Sequence, residues 1–223
     1  IAIIGASGYT GAELVRLLLT HPHANIALLT GDTQAGKKMG EVYPHLAQYD
    51  LPALISLEQA DFSKIDLVFC CLPHATTQKV IAGLPQHVRI VDLSADFRLA
   101  DVAVYEKWYG HPHQAVQLQK EAVYGLTELA REAVKEARLV ANPGCYPTSA
   151  QLPLIPLLQD GIIENSNIII DSKSGVTGAG RSARQANLYC EITDGMSAYG
   201  VASHRHAPEI EQGLSNASGK AVM

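Results

Sequence analysis

Several features that mark nucleic-acid-binding and membrane proteins are missing from this sequence. Acidic residues outnumber basic ones by 22 to 17, and the net charge is −5. No basic run occurs, which disfavours binding to the phosphates of a nucleic acid. No apolar run approaches the length that a membrane-spanning helix needs. Neither a nucleic-acid partner nor a membrane partner is predicted.

Cysteine is also scarce. The four cysteines form no C-x-x-C pair, and they are Cys70, Cys71, Cys145 and Cys190. This usage is typical of reduced thiols in a cytoplasmic protein. The chain opens on a strand-like apolar run rather than a signal peptide, so we predict a cytoplasmic location. We expect the protein to continue beyond both ends, because Ile1 lies inside that run and another apolar run starts at Ala221.

Two motifs of nucleotide-dependent enzymes do not occur. The absence of Y-x-x-x-K argues against a short-chain reductase, and the absence of G-x-x-x-x-G-K-[ST] disfavours a P-loop kinase or ATPase. What the chain does contain is 47% hydrophobic residues in a length of 223. This composition suits one large globular domain or two small ones.

The N-terminus has the pattern of a dinucleotide-binding unit. Residues 1–4 form a continuous apolar run, as a buried parallel strand does, and apolar residues with helical spacing follow from residue 12 to 19. Between them lies a glycine-rich turn that would rest the pyrophosphate on the helix N-terminus. The predicted cofactor contacts in this turn are Gly5, Ala6, Ser7, Gly8, Tyr9, Thr10 and Gly11. A glycine turn without a ligand is the alternative.

The loop after the second predicted strand, residues 26–29, leaves the choice of dinucleotide open. Asp32 suits the ribose 2′-hydroxyl of NAD, whereas hydroxyl and basic side chains suit the 2′-phosphate of NADP. The loop offers the second kind of group at Thr30, Thr33, Lys37 and Lys38. We retain Thr30 and Thr33 as cofactor-binding candidates.

Two further buried strands are predicted at residues 67–72 and 90–93. Ligands of open parallel sheets bind beyond the carboxyl ends of the strands. The side chains expected there are Pro73, His74, Ser94 and Arg98. We predict that Pro73 and Ser94 contact the cofactor and that His74 is a loop or capping residue. Residues 100–118 are predicted to be irregular, and Thr127 is predicted to cap the next helix.

A cysteine stands at the corner between a predicted strand at residues 139–141 and a helix that includes residues 152–158. Pro143 and Gly144 make the corner, which leaves Cys145 at the helix start. Unpaired backbone N–H groups and the helix dipole favour the thiolate there, which is the nucleophilic form. A free cysteine that merely packs is the alternative.

Two polar clusters follow in the second half. A strand is predicted at residues 167–171, and the small residues of the loop at 172–181, with Arg181, could approach an anion. That loop could equally be a linker. His204 and His206 would share one face of an extended segment, and one of them could be the acid/base partner of Cys145. Two surface histidines are the plain alternative, and no metal is predicted.

A nucleotide site, an activated thiol, a histidine and an anion loop together suggest one chemistry. The thiolate attacks an activated acyl group, and hydride from NAD(P)H reduces the resulting thioester to an aldehyde. Backbone N–H groups at the helix start would stabilise the oxyanion, and the histidine would transfer protons.

Five motifs closely resemble the N-acetyl-γ-glutamyl-phosphate reductase family, in the family's order and along the whole chain. They lie at residues 5–11, 92–98, 142–148, 174–181 and 204–209. The resemblance implies NADPH-dependent reduction of N-acetyl-γ-glutamyl phosphate to the semialdehyde and phosphate, in arginine biosynthesis. It also implies a homo-oligomer, a dimer or tetramer, and a C-terminal part that this chain lacks.

The resemblance assigns roles to residues. Cys145 is the implied nucleophile and His204 or His206 the acid/base, with His206 preferred and the two not ranked by the residues themselves. The implied substrate-binding residues are Arg98, Asn142, Arg181 and His206, and Ser174 and Gly175 are further cofactor candidates.

We therefore predict an α/β protein with two domains. An NADP-binding Rossmann domain with a parallel sheet spans residues 1–144, and an incomplete α+β substrate domain spans residues 145–223. The alternatives are an enzyme like aspartate-semialdehyde dehydrogenase, which uses the same thioester logic, and a non-catalytic NADP-sensing module.

Overall fold

The structure, a computed structural model, describes residues 1–222. Its strands form one seven-stranded sheet in the order β3-β2-β1-β4-β5-β7-β6, and neighbouring strands are parallel. The strands are β1 (Ala2–Ile4), β2 (Leu28–Thr30), β3 (Leu54–Ile55), β4 (Leu67–Cys70), β5 (Arg89–Asp92), β6 (Val123–Tyr124) and β7 (Leu139–Ala141). The strand order reverses at β1 and β4, as in doubly wound sheets that bind nucleotides. The predicted Rossmann-type sheet is confirmed.

Nine α-helices occur in the part of the chain that the structure describes. They are α1 (Tyr9–Leu18), α2 (Met39–Val42), α3 (Thr77–Ala82), α4 (Val102–Tyr109), α5 (Val116–Glu121), α6 (Thr127–Glu136), α7 (Cys145–Gln159), α8 (Tyr189–Ile192) and α9 (Ala207–Ser218). Within residues 1–222, none of these helices is both long and apolar enough to cross a lipid bilayer.

The chain divides into two compact units. The first contains residues 1–97 and 114–142, and the second contains residues 98–113 and 143–223. The domain boundary predicted after residue 144 stays a prediction. Both divisions place the sheet in the first part and the helix that starts at Cys145 in the second.

The first unit buries both faces of its sheet. Successive side chains of a strand point to opposite faces, so Ala2 and Ile4 join one apolar cluster while Ile3 joins the other. Strands covered on both sides need continuous apolar runs, which explains why β1, β4 and β7 were recognisable from sequence alone. The two-residue strands β3 and β6 were missed because they are too short to show a pattern.

The second unit is built on the packing of α7 against α9. Gly213 of α9 permits this packing, since a Cβ there would lie 2.4 Å from the side-chain amide of Gln151 on α7. The side chain of Gln151 in turn donates to the main-chain oxygen of Glu209, at 2.9 Å. Residues 161–203 connect the two helices as a largely exposed segment with short helical turns.

The strand predicted at residues 167–171 is absent. The segment has no ladder partner among the described residues, and Ile169 is 93% exposed. A strand is stabilised by pairing with a neighbour, so an apolar, β-branched run without such a neighbour does not form one.

Two smaller predictions were also wrong. The segment predicted to be irregular contains α4, which begins after a capping bond from the Ala103 N–H to the Asp101 side chain and ends at Gly110 with a φ of 80°. These are ordinary helix-start and helix-end signals that the mixed polarity of the segment obscured. Thr127 is the first residue of α6 rather than its cap, and its hydroxyl donates to the carbonyl of Gly125.

Candidate active site

The glycine turn after β1 has the close backbone packing of a nucleotide-binding turn. Gly5 has a φ of 81°, and a Cβ there would lie 2.6 Å from the carbonyl oxygen of Cys71. A Cβ on Gly11 would lie 2.5 Å from the Cα of Ala6, so this glycine lets α1 approach β1. Gly8 is the residue before α1, and its nearest neighbour would be 3.6 Å away. The turn therefore leaves its most open glycine at the helix N-terminus, where a pyrophosphate would rest.

The predicted ribose-side residues make contacts within the protein. The hydroxyl of Thr30, which is buried, accepts a hydrogen bond from the Gly5 N–H at 3.2 Å. Asp32 accepts one from the Leu57 N–H at 2.9 Å, whereas Thr33 is exposed. Thr30 therefore stabilises the glycine turn through its hydrogen bond with the Gly5 N–H. Cofactor contact at Thr30 and Thr33 stays a prediction.

The loops after β4 and β5 are joined by a buried chain of hydroxyl and carboxylate groups. The Ser94 hydroxyl donates to Asp92 at 2.7 Å, and it lies 2.7 Å from the Thr77 hydroxyl, which bonds Asp96 at 2.6 Å. The Ala95 N–H donates to Nδ1 of His74, so His74 has the loop-holding role that the sequence favoured. Ser94 is consequently a buried link between the two loops, while Pro73 is exposed beyond the carboxyl end of β4.

The cysteine motif forms the first turn of α7. Gly144 caps the helix in an extended conformation, and both the N–H and the hydroxyl of Thr148 donate to its carbonyl at 2.9 Å. Cys145 is therefore the first helical residue, and its thiol is exposed. The first N–H groups of a helix have no partner within the helix, so they are available to an oxyanion at this position.

His206 lies against the same turn. It is the residue before α9, and a Cβ on Gly144 would be 2.7 Å from its Nε2. The glycine before the thiol therefore makes room for the imidazole. The N-termini of α7 and α9 meet here, so the positive ends of two helix dipoles converge beside Cys145.

His204 packs against the next residue of the cysteine turn, with its ring centre 5.2 Å from that of Tyr146. The His206 N–H donates to its Nδ1 at 3.1 Å, which leaves the proton of a neutral ring on Nε2. Burial lowers the pKa of His204 below its ordinary value of 6.5. The two imidazole centres are 4.9 Å apart in an edge-to-face arrangement.

Two tyrosines complete this cluster, and sequence reasoning gave neither a role. The Tyr199 hydroxyl donates to the Tyr146 hydroxyl at 2.7 Å. Partial burial, this hydrogen bond, and repulsion from ionised Tyr146 and Cys145 raise the pKa of Tyr199 to about 12. Tyr199 is therefore a neutral donor at physiological pH, close enough to Cys145 to sense its charge.

A cavity of about 490 Å³ opens beside the histidines within the second unit. Its wall contains Tyr146, Lys173, Ser174, Tyr199, His204 and His206. Ser174 thus shares a cavity with the predicted acid/base, whereas Gly175 and Arg181, on the same exposed 161–203 segment, do not line it. Across residues 1–222, no group of three or more His, Cys, Asp or Glu side chains could hold a metal ion.

The two remaining substrate candidates fall in different units. Arg98 is buried in the second unit, with Nη1 3.6 Å from Oε2 of Glu209. Asn142 ends the first unit, where its N–H donates to the carbonyl of Asp92. Glu209 lies in the histidine motif at residues 204–209, but the sequence predicted no role for it. Nothing in the local sequence indicates that an acidic residue in the first turn of a helix is buried.

Comparison with known protein families identifies the family to which this chain belongs. A family model described as semialdehyde dehydrogenase, NAD binding domain, matches residues 1–137. The chain belongs to the semialdehyde dehydrogenase family. A second model, the semialdehyde dehydrogenase dimerisation domain, matches residues 145–223.

Curated relatives refine this placement. A probable chloroplastic N-acetyl-gamma-glutamyl-phosphate reductase of Arabidopsis thaliana is 64% identical over 97% of this chain and 54% of its own. The reductase of that name from Rhodospirillum rubrum is 61% identical over 100% of this chain and 64% of its own. The resemblance predicted from the motifs is confirmed. The chain spans between about half and two thirds of the length of these relatives.

A solved structure agrees at the level of the fold. Aspartate semialdehyde dehydrogenase II from Vibrio cholerae superimposes with a TM-score of 0.59 and 13% identity, over 99% of this chain and 66% of its own. At this identity the likeness shows a shared fold alone.

Proposed function

We propose that this chain supplies the nucleotide-binding and thiol-bearing parts of an NADPH-dependent N-acetyl-γ-glutamyl-phosphate reductase of arginine biosynthesis. The observation that carries the proposal is the contact of His206 with the turn that presents Cys145. A thiol at a helix N-terminus with an imidazole beside it is the arrangement that acyl transfer to cysteine needs. The names of relatives at 64% and 61% identity support the substrate.

The proposed reaction begins at Cys145. Its thiolate attacks the acyl carbon of the acyl phosphate, the C–O bond to phosphate breaks, and inorganic phosphate leaves as a thioester forms. The first-turn N–H groups of α7 stabilise the oxyanion of the tetrahedral intermediate. His206, against Gly144, holds the proton that the thiol gives up.

The cofactor supplies a hydride that reduces the thioester to a thiohemiacetal. The oxyanion left by hydride addition collapses to the aldehyde and expels Cys145 as a thiolate, and His206 returns its proton to the departing sulfur. The backbone of Gly5 and Gly8 fits a pyrophosphate, since Gly5 is packed against Cys71 and Gly8 is open at the start of α1. We propose that residues 5–11 hold NADP(H) there, assisted by the exposed Pro73 after β4 and by Ser94, which is buried in the loop after β5.

The remaining assignments are part of the same proposal. We propose that Arg98, Asn142 and Arg181 contribute to binding the carboxylate or phosphate of the substrate, and that Ser174 and Gly175 approach the cofactor. The match to a dimerisation domain supports a homo-oligomer, which we propose to be a dimer or tetramer. A cytoplasmic location stays a prediction.

The deciding experiment uses the full-length protein and runs the reaction in reverse. NADPH formation is followed with N-acetylglutamate semialdehyde and phosphate for wild type, Cys145→Ser and Cys190→Ser. Cys190 is the matched control, since it is also a free and exposed cysteine. We expect Cys145→Ser to abolish turnover while NADPH binding persists, and Cys190→Ser to retain it.

Other outcomes would redirect the proposal. Equal activity of Cys145→Ser and wild type would remove Cys145 as the nucleophile. Turnover of aspartate semialdehyde in place of the acetylated substrate would identify an aspartate-semialdehyde dehydrogenase. NADPH binding without turnover of either aldehyde would favour a sensing module. Replacing NADP with NAD in the same assay measures the cofactor preference.

A further inference from the structure

Glu209 is buried at the site, and the proposed reaction gives it no role. Only 1% of its surface is exposed. Its Oε1 accepts a hydrogen bond from the Gly144 N–H at 2.9 Å, and Gly144 is the residue directly before Cys145. A charge-assisted bond of this kind restrains a backbone turn more strongly than a neutral one does.

The negative charge of Glu209 is balanced locally. Nη1 of Arg98 lies 3.6 Å from Oε2 of Glu209, and both side chains are buried. Arg98 is itself anchored to α9, because the Gln212 side chain donates to its carbonyl at 3.0 Å and accepts from the Ala100 N–H at 2.8 Å. A buried charge needs such a partner, so the pair is expected to stay together.

Glu209 is also tied through its main chain. Its carbonyl accepts a hydrogen bond from the side chain of Gln151 on α7 at 2.9 Å. The same residue therefore joins α7 and α9 by two bonds, one near the thiol and one further along α7. His206 lies one helical turn before Glu209, and its carbonyl accepts from the Ile210 N–H.

We propose that Glu209 is a positioning residue that fixes the thiol of Cys145 relative to the imidazole of His206. This inference rests on the proposed function. The carboxylate binds the amide that precedes the thiol, and the helix that carries the carboxylate carries the imidazole at its start. One side chain thereby sets the spacing between nucleophile and base, across a sequence separation that no local interaction spans.

The carboxylate also contributes to the charge balance around the thiol. The titratable and charged groups of this cluster are Arg98, Cys145, Tyr146, Tyr199, His204, His206 and Glu209. Removing the charge of Glu209 takes a negative charge away from the surroundings of the cysteine turn. The thiolate is then favoured further, so the pH midpoint of thiol alkylation should move to lower pH.

Two variants separate the hydrogen bond from the charge. Glu209→Gln retains an oxygen that can accept from the Gly144 N–H but loses the charge, whereas Glu209→Ala loses both. Glu211→Gln is the control, because Glu211 is exposed on the same helix. The full-length proteins carry Cys190→Ser, and iodoacetamide labelling of Cys145 is measured against pH by peptide mass spectrometry. Steady-state kcat and KM are measured on the same samples.

We expect both Glu209 variants to show the alkylation midpoint at lower pH than wild type, and Glu211→Gln to match wild type. The kcat of Glu209→Ala should fall about 100-fold with KM changed by less than about 3-fold, since a small misplacement of reacting groups has effects of this size. Glu209→Gln should recover at least about 10-fold of that loss, because it retains the acceptor.

An unchanged alkylation midpoint in both variants would overturn the inference, and so would a kcat of Glu209→Ala equal to that of wild type. Should Glu209→Ala fail to fold, the midpoint and kcat of Glu209→Gln decide. Alkylation requires no substrate, so a wild-type protein that fails to turn over the acetylated aldehyde counts against the proposed function alone. The midpoint shift then still tests Glu209.

Discussion

At the scale of single residues, the arrangement of the thiol and imidazole depends on the missing side chain of Gly144. Its φ of −67° and ψ of 158° are open to any residue, so alanine would introduce no backbone strain. The added Cβ would instead lie 2.7 Å from Nε2 of His206 and 2.9 Å from Nη1 of Arg98. The constraint at this position is therefore space beside the nucleophile.

We predict that Gly144→Ala displaces the imidazole and lowers kcat by about 10- to 100-fold, as small misplacements of catalytic groups do. The measurement is steady-state turnover of the full-length protein, with melting temperature recorded in parallel. Gly195→Ala is the control, because the nearest atom to a Cβ there would be 3.8 Å away. Normal turnover in Gly144→Ala would show that His206 does not act from the position seen here.

His204 predicts a dependence of stability on pH. Burial lowers its pKa in the folded state below 6.5, whereas the unfolded chain titrates near that value. The unfolded state then binds more protons as the pH falls through 6.5, so the free energy of unfolding decreases there. Denaturant unfolding at about pH 7.5 and pH 5.5 should show this loss, and the loss should be smaller in His204→Gln. An equal loss in both proteins would assign the effect to other groups.

Individual residues also show where sequence reasoning stops. Cys145 at a helix start was readable, because a strand, a Pro-Gly corner and a helix follow one another locally. The contacts of His206 with Gly144 and of Glu209 with the same residue link positions about 60 residues apart. No local pattern records them, and the sequence left His204 and His206 unranked for that reason.

At the scale of elements, the second unit depends on how closely α9 approaches α7. Gly213 leaves space that the Gln151 side chain fills, and a Cβ there would come within 2.4 Å of it. We predict that Gly213→Ala lowers the free energy of unfolding by about 1–3 kcal/mol, the usual cost of overpacking, despite the better helix propensity of alanine. Urea unfolding checks this.

Asn216→Ala provides the contrast, since Asn216 is exposed on the same helix and gains propensity without a clash. A Gly213→Ala protein as stable as wild type would mean that Gln151 can move without consequence. Its bond to the Glu209 carbonyl would then contribute little.

The elements differ in how well the sequence predicts them, and the reason is burial. The strands β1, β4 and β7 lie in the interior of the sheet, and each is a continuous apolar run. Residues 167–171 contain a similar apolar run but form no strand pairing with any other described segment. An apolar run therefore reports the tendency to pair, whereas the presence of a partner is a property of the whole protein.

At the scale of the whole molecule, exposure is concentrated in residues 161–203. The apolar side chains there include Ile169, Met196 and Val201, which are 93%, 81% and 76% exposed. The first unit is different, since its sheet is covered on both faces. This contrast predicts where the chain is most accessible to other molecules.

We predict that limited digestion of the 223-residue chain with trypsin begins at Lys173, Arg181 and Arg184, because proteolysis starts in exposed segments without regular structure. Arg89 and Arg138 should resist, since their guanidinium groups donate to the carbonyls of Ala137 and Gln86. Mass spectrometry of the first fragments tests this. Early cleavage after Arg89 or Arg138 would contradict it.

The bond between Glu209 and the Gly144 amide has a consequence for protein engineering. A designer who grafts the Asn-Pro-Gly-Cys corner onto a foreign strand–helix junction transfers the thiol without its carboxylate, imidazole or guanidinium. The smallest set of elements that retains these contacts is the helix pair of α7 and α9 together with the segment that bears Arg98. The reactivity of the grafted thiol should depend on how many of these elements are transferred with it rather than on the host scaffold.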